Sequence, residues 1–265
     1  MPVIFVPHGG GPMPLLGERN HKKLTAFMKQ LPSQLPLPKA IVVISAHWEE
    51  SIVNVSSAAT PGMFFDYYGF PPKSYRFEYS APGDPELALK IIHLLGEQGI
   101  PARLNPDRDY DHGTFVPLML MYPEADIPVV QVSLLASLNP QSHIELGKAL
   151  AVLRDLGVLI VGSGMSFHNM HAFFSGDRAA TTKSNLFDQW LVQTLTAPDL
   201  TPEMRMQHLI HWKLAPEARY SHPREEHLLP LLVCFGAALT ASPTAEVNFS
   251  GLLFDTHISG FIWRQ

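Results

Sequence analysis

Three short β-branched runs, far apart in the chain, each lead into a histidine, and this limits the available folds more than any other feature. Val3-Ile4-Phe5-Val6 runs into Pro7-His8-Gly9-Gly10-Gly11. Ile41-Val42-Val43-Ile44 runs into Ser45-Ala46-His47-Trp48, and Val158-Leu159-Ile160-Val161 into Gly162-Ser163-Gly164, with His168-Asn169 a few residues on. Apolar runs of this length bounded by Gly, Pro and Ser read as buried strands. In open α/β sheets, ligands bind beyond the carboxyl ends of the strands. As parallel neighbours, these strands would bring three imidazoles to one crevice. Neutral imidazole is the commonest metal ligand among side chains, so the chain is expected to be built around a metal.

Strand signals alternate with helix signals, which argues for a layered α/β fold. Helices are expected around 22–30, from Asp84-Pro85-Glu86 to about Gln98, over 115–121, from Asn139-Pro140 to about Leu156, over 185–195 and 203–212, and from Pro223 onward. Several carry a capping residue, a first-turn proline and an early acid. Further strands are expected at 52–56 and 129–134, with 254–263 as an edge strand. No charge block, Ser/Gly tract or internal repeat divides the 265 residues, so one domain spanning 1–265 is expected. The net charge of −5 argues against nucleic acid or an anionic membrane as the main partner. No apolar run reaches the length of a membrane span, and no basic, apolar leader opens the chain. A cytoplasmic location is the expectation. The single cysteine, Cys234, lies in an apolar helix-like run and reads as a buried, inert thiol.

Five histidines stand apart by context. His8 and His47 follow strands, and His112 opens a helix in Tyr110-Asp111-His112-Gly113. His168 follows Gly162-Ser163-Gly164, and His227 lies in the first turn expected for the last helix. The spacings exclude His-Glu-x-x-His, paired-cysteine zinc sites, a P-loop and a nucleophile elbow. His93, His143, His208 and His211 read as helix packing or surface residues, and His21 and His257 lack supporting context. Gly9-Gly10-Gly11 reads as a flexible loop that lets backbone approach the pocket.

Several segments, taken in order, resemble a known family. They are Pro7-His8-Gly9, Ser45-Ala46-His47-Trp48, Phe65-Asp66-Tyr67-Tyr68-Gly69-Phe70-Pro71, Asp111-His112-Gly113, Met121-Tyr122-Pro123, His168-Asn169 and Glu226-His227-x-Leu229-Pro230-Leu231. Over nearly its whole length the chain resembles the class III extradiol ring-cleaving dioxygenases of the LigB superfamily, within them the 4,5-DOPA extradiol dioxygenase group. The resemblance implies a single-domain α/β layered sandwich, LigB-like, with a mixed, mostly parallel central sheet flanked by helices.

It also implies roles. His8, His47 and His227 match metal ligands, and Glu226 is an alternative to His227, because more distant members use a carboxylate. His168 matches a fourth ligand of zinc-bound relatives, or an acid/base in others. His112 matches the second catalytic histidine of the pocket. Fe(II) is the implied working metal; separately, because zinc outcompetes Fe(II) for such sites in the usual affinity order, the purified protein is expected to be able to carry Zn(II). Three protein ligands leave positions on an octahedral ion for both catechol oxygens and O₂. Histidine can serve as the base that deprotonates the catechol and the acid that protonates the leaving oxygen. The aromatic stretch 64–79, Tyr67 and Phe70 included, is expected to wall the ring. The first loop reads His-Gly-Gly-Gly-Pro where the group has His-Gly-Ser-Pro. His222 also departs from the group, and it is the candidate contact for the substrate's tail. The expected partners are O₂ and a small DOPA-like or caffeate-like catechol; a homo-oligomer is compatible with the sequence. Two other readings are a redox-inert zinc hydrolase on the same scaffold and a non-enzymatic binding protein of the Memo type.

Overall fold

The computed structural model describes residues 1–174, 176, 179–239 and 243–264. Its strands are β1 (Val3–Pro7), β2 (Ala40–Glu50), β3 (Val53–Ser56), β4 (Ala102–Asn105), β5 (Val129–Leu135), β6 (Val158–Gly164), β7 (Glu246–Leu253) and β8 (Thr256–Trp263). They form one eight-stranded sheet in the order β4-β3-β5-β2-β6-β1-β8-β7. The three strands read from the sequence are adjacent and parallel, with β6 between β1 and β2. Pro7 pairs with Gly164 and Ser45 with Ser163, so the carboxyl ends of β1 and β6 lie level with Ser45 of β2. The sheet is mixed, because β8 runs antiparallel to β1 and β7 to β8.

Side-chain alternation divides the core between the two faces. Val3, Phe5, Val42, Ile44 and Ile160 pack against helices 85–97, 140–150, 179–196 and 229–238. Ile4, Val6, Ile41, Val43, Leu159 and Val161 pack against helices 22–30 and 112–121. Both faces are covered, so the central strands are apolar throughout. The caps expected at Asp84 and Asn139 form, accepting from Leu87 and Ser142 N–H, and Asp111 and Thr201 cap the helices they precede by accepting from Thr114 and Met204 N–H. Among the described residues, no helix is long and apolar enough to cross a membrane.

Three sequence expectations are corrected. First, 254–263 is not an edge strand. β8 lies between β1 and β7, and β7 forms the edge. Much of β7 is exposed and its Asn, Ser and Gly are weak strand formers, which hid it. Second, the last helix spans Leu229–Ala238 and does not start near Pro223. Pro230 fits its first turn, where a missing N–H costs nothing. The segment before it turns back through Leu228 N–H donating to Glu225 O at 2.8 Å, so His227 sits on a turn. Third, β2 continues past His47 to Glu50, with a register irregularity against β5 between Ile44 and Glu49. A bulge of this kind re-aims side chains next to active sites.

The β7–β8 hairpin is unusual. Leu253 pairs with Thr256, and the two residues between them, Phe254 and Asp255, have φ of 48° and 60°. Non-glycine residues in the left-handed region cost roughly 1–2 kcal/mol each.

Candidate metal centre

The geometry of His8 follows from where one hydrogen can go. The His8 backbone N–H donates to Gly164 O, extending the strand pairing by one residue. Its Nδ1 lies 3.0 Å from Ser163 Oγ, and the Ser163 hydroxyl donates to the Gly113 carbonyl. A hydroxyl has a single hydrogen, so Ser163 must accept from His8 Nδ1–H. That leaves His8 Nε2 bare, and it lies 3.2 Å from His47 Nε2. Two nitrogens bound to one ion at about 2.1 Å, 90–110° apart, are separated by about 3.0–3.4 Å.

Carboxylates fix two more rings. His227 Nδ1 lies 3.0 Å from Glu226 Oε1, and His112 Nδ1 lies 2.8 Å from Asp66 Oδ1. A carboxylate only accepts, so both Nδ1 atoms carry hydrogen and both Nε2 atoms are bare. Asp66 Oδ1 also accepts from the His112 backbone N–H at 3.0 Å, and Asp66 Oδ2 lies 3.6 Å from His47 Nδ1. His168 stacks on His227 with ring centres 3.4 Å apart, and its Nδ1 lies 3.5 Å from Glu226 Oε1. Burial alone would raise Asp66 and Glu226, but the bonds to His112 and His168 hold both below the usual carboxylate range.

The ring centres of His8, His47 and His227 form a near-equilateral triangle with sides of 4.9, 5.0 and 5.3 Å. Three imidazoles on one ion place their ring centres about 4.6–5.3 Å apart, given a metal–nitrogen distance near 2.1 Å. His112 sits less evenly, 3.9 Å from the His47 ring and 5.4 Å from that of His8. Ligand atoms gather in two groups, each within 4.8 Å: His8, His47 and His112, and His168, Glu226 and His227. Burial, then the charge each ring would meet on its neighbours, pushes His8, His47 and His227 well below the ordinary imidazole range. Neutral imidazole is the form that binds a cation.

Glycines make the approach possible. A Cβ on Gly113 would lie 2.4 Å from Ser45 Oγ and 3.0 Å from His47 Cδ2, and one on Gly164 would lie 2.3 Å from His227 O. The Gly9–Gly11 loop, expected to be flexible, is pinned: Gly10 N–H donates to the buried His21 Nε2 at 3.0 Å, and His21 Nδ1 lies 2.6 Å from Glu18. His21 had no sequence context, because its partners lie on the loop it closes. Asp111, fully buried, accepts from Ser45 Oγ, Thr114 N–H and Arg108, and Arg108 also donates to His47 O.

One cavity of about 410 Å³ collects His8, His47, His112, His168, His227, Tyr67 and Phe70. Of the expected aromatic stretch, Tyr67, Tyr68 and Phe70 line it. The Tyr67 hydroxyl donates to Ser74 O at 2.6 Å, so its ring rather than its oxygen meets the cavity. Met170, Phe173, Phe174, Leu253 and Phe254 add a second apolar wall that the sequence reading missed.

His222 is not brought to the cavity. Its ring is fully buried between Phe187 and Trp212, with centres 5.3 and 5.8 Å away, and Nε2–H donates to Ser166 O at 2.9 Å. Burial pushes it down to about 4. Four residues and a turn separate it from His227, and its ring goes into the core rather than into the cavity.

A buried cluster of neutral imidazoles, oriented by carboxylates and a serine at the carboxyl ends of parallel strands, defines a metal-site α/β protein. Residues 2–258 match the family model described as the catalytic LigB subunit of aromatic ring-opening dioxygenase. A 4,5-DOPA dioxygenase extradiol of Beta vulgaris is 41% identical over 240 residues, covering 89% of this chain and 86% of that protein. The dioxygenase tasH of Hapsidospora irregularis is 40% identical over 255 residues, covering 89% and 78%. A crystal structure of an uncharacterised Escherichia coli K12 protein superposes with a TM-score of 0.78 at 31% identity over the whole of both chains. The chain belongs to the LigB family of aromatic ring-opening dioxygenases, and its class is that of the extradiol ring-cleaving enzymes.

Proposed function

We propose that the protein is an Fe(II)-dependent extradiol dioxygenase that opens a small catechol, DOPA-like or caffeate-like in size, with O₂. The carrying observation is the triangle of His8, His47 and His227, whose size suits three ligands on one ion. The donor set suits a metal: three neutral imidazoles, with the bare Nε2 of His8 fixed by Ser163 and that of His227 by Glu226. Iron would hold catechol and O₂ together and pass electron density between them.

The remaining chemistry belongs to side chains. His112 Nε2, bare because Nδ1–H is held by Asp66, accepts a catechol proton. His168, stacked beside His227 and half-buried, supplies a proton to the leaving oxygen. The faces of Tyr67 and Phe70 hold the flat ring and exclude water.

The test is anaerobic reconstitution with Fe(II), then admission of O₂ and a catechol, with the zinc-loaded protein alongside. Expected is ring opening by the iron form alone. Ring opening by the zinc form, or hydrolysis by zinc with an inert iron form, would contradict it.

A further inference from the structure

The cavity has a polar floor and an apolar far wall. On that wall Phe173, Phe174 and Phe254 pack as a triangle with ring centres 5.6, 5.4 and 6.4 Å apart. Phe174 and Met170 are 61% and 55% exposed although both line the cavity, and Tyr68, 92% exposed, lines it too. The apolar lining thus continues to the mouth. Phe254 stands there on a turn that disfavours it. It and Asp255 both hold positive φ, the conformation that Asn-Gly adopts without strain in a two-residue hairpin loop. Thr256 Oγ1–H donates to Leu253 O at 2.7 Å and closes the turn. Strained residues persist where their surroundings fix them, and they cluster at ligand clamps. A hairpin tip in solvent has no need of phenylalanine.

The polar side of the cavity has little to give a charged tail. Asp66 is engaged by His112 and His47, and among the described residues lining the cavity there is no Lys or Arg. A carboxylate placed against the phenylalanine wall would lose hydration without gaining a partner, and the ring faces would repel it. A flat apolar group would gain ring-to-ring contact there.

Resting on the catechol reading above, we propose that Phe254, carried on its strained turn, is a specificity-determining residue. With Phe173 and Phe174 it receives a flat apolar substituent of the catechol, an aryl or alkenyl group, in preference to a zwitterionic amino-acid side chain.

The test compares the parent with the double variant Phe254→Asn, Asp255→Gly, both as full-length, zinc-loaded protein. Two quantities are read: melting temperature, and the dissociation constants of unsubstituted catechol, phenyl-substituted catechol and DOPA. In the parent, the phenyl-substituted catechol should bind at least about tenfold more tightly than DOPA. In the double variant that preference should fall about tenfold, while the melting temperature stays level or rises as the turn relaxes. A purely structural Phe254 would lower the melting temperature and leave the preference unchanged, and that result overturns the proposal. So does a parent that prefers DOPA. If all three catechols bind without discrimination, the clamp is wrong but the catechol site stands. If none binds, the catechol reading fails and takes this proposal with it.

Discussion

Ser163 gives its only hydrogen to the Gly113 carbonyl, and this leaves His8 facing the cavity with a bare nitrogen. Replacing Ser163 with alanine strands a buried N–H, at a cost of about 1–3 kcal/mol, and frees the ring to turn. Metal affinity should drop about 10–100-fold, as for other residues that orient a ligand. Competition with a chromogenic chelator measures it, and an unchanged affinity would remove Ser163 from the site. His112→Ala should retain the metal and lower kcat by about 10²–10⁴; full activity over pH 6–8 would make His112 a turn residue. Gly113→Ala has no room for its methyl beside Ser45 and His47, so it should lose metal binding together with stability. The candidate imidazoles could be picked out from sequence because His8 follows a strand, His112 starts a helix, His168 and His227 lie just before helices, and His47 follows an apolar strand run, although β2 continues past it to Glu50. The orienting partners Ser163 and Asp66 were visible as letters only, since what they hold lies 155 and 46 residues away, whereas Glu226, read as an alternative ligand, lies 3.0 Å from Nδ1 of the adjacent His227. His222 was misread for the converse reason: the chain reverses between it and His227, and its ring goes into the core beside Phe187 and Trp212.

Helix 140–150 shows how a histidine outside the site ties an element down. His143 Nδ1–H donates to Asn139 O at 2.7 Å, and its Nε2 accepts from Leu135 N–H at 3.1 Å, joining the helix start to the end of β5. Burial pushes its imidazole down to about 4, against about 6.5 in an unfolded chain. Between those values the unfolded chain takes up a proton that the folded chain refuses. Stability from this group is therefore complete above pH 6.5, falls as pH drops toward 4, and changes no further below. From pH 7.5 to 5 the loss amounts to about 2 kcal/mol. Urea unfolding at the two pH values should show a smaller pH-dependent loss for His143→Gln than for the parent by about that amount. Equal losses would rule out His143 as the source. Helix starts were readable because caps and first-turn prolines are local chemistry. β4 and β7 were not, because edge strands with exposed polar residues lack the apolar pattern that betrays central ones. The bulge in β2 was equally hidden, since it is a property of pairing with β5.

Across the whole molecule, the sheet order brings distant segments to one place. β6 lies between β1 and β2, so the loops after residues 7 and 164 and the His47 stretch of β2 share a rim, and the turn before helix 229–238 closes over it. The layered class and the convergence of strand ends were legible because three apolar runs imply three buried neighbours; the antiparallel β7–β8 addition was not. A metal bound only by the folded chain stabilises it by mass action. Chelation should therefore lower the melting temperature of metal-saturated protein by roughly 5–10 °C, if the free metal stood near 100 times its dissociation constant. Identical melting with and without chelator would mean that the cluster holds no ion. The most direct measurement is anomalous X-ray scattering at the iron or zinc edge from crystals of the metal-loaded protein. Expected is a single strong peak about 2.0–2.3 Å from a ring nitrogen of each of His8, His47 and His227, with His112 and His168 around the same cavity. A peak held by His168, Glu226 and His227 without His8 and His47, or two peaks shared between the groups, would contradict the single three-histidine centre.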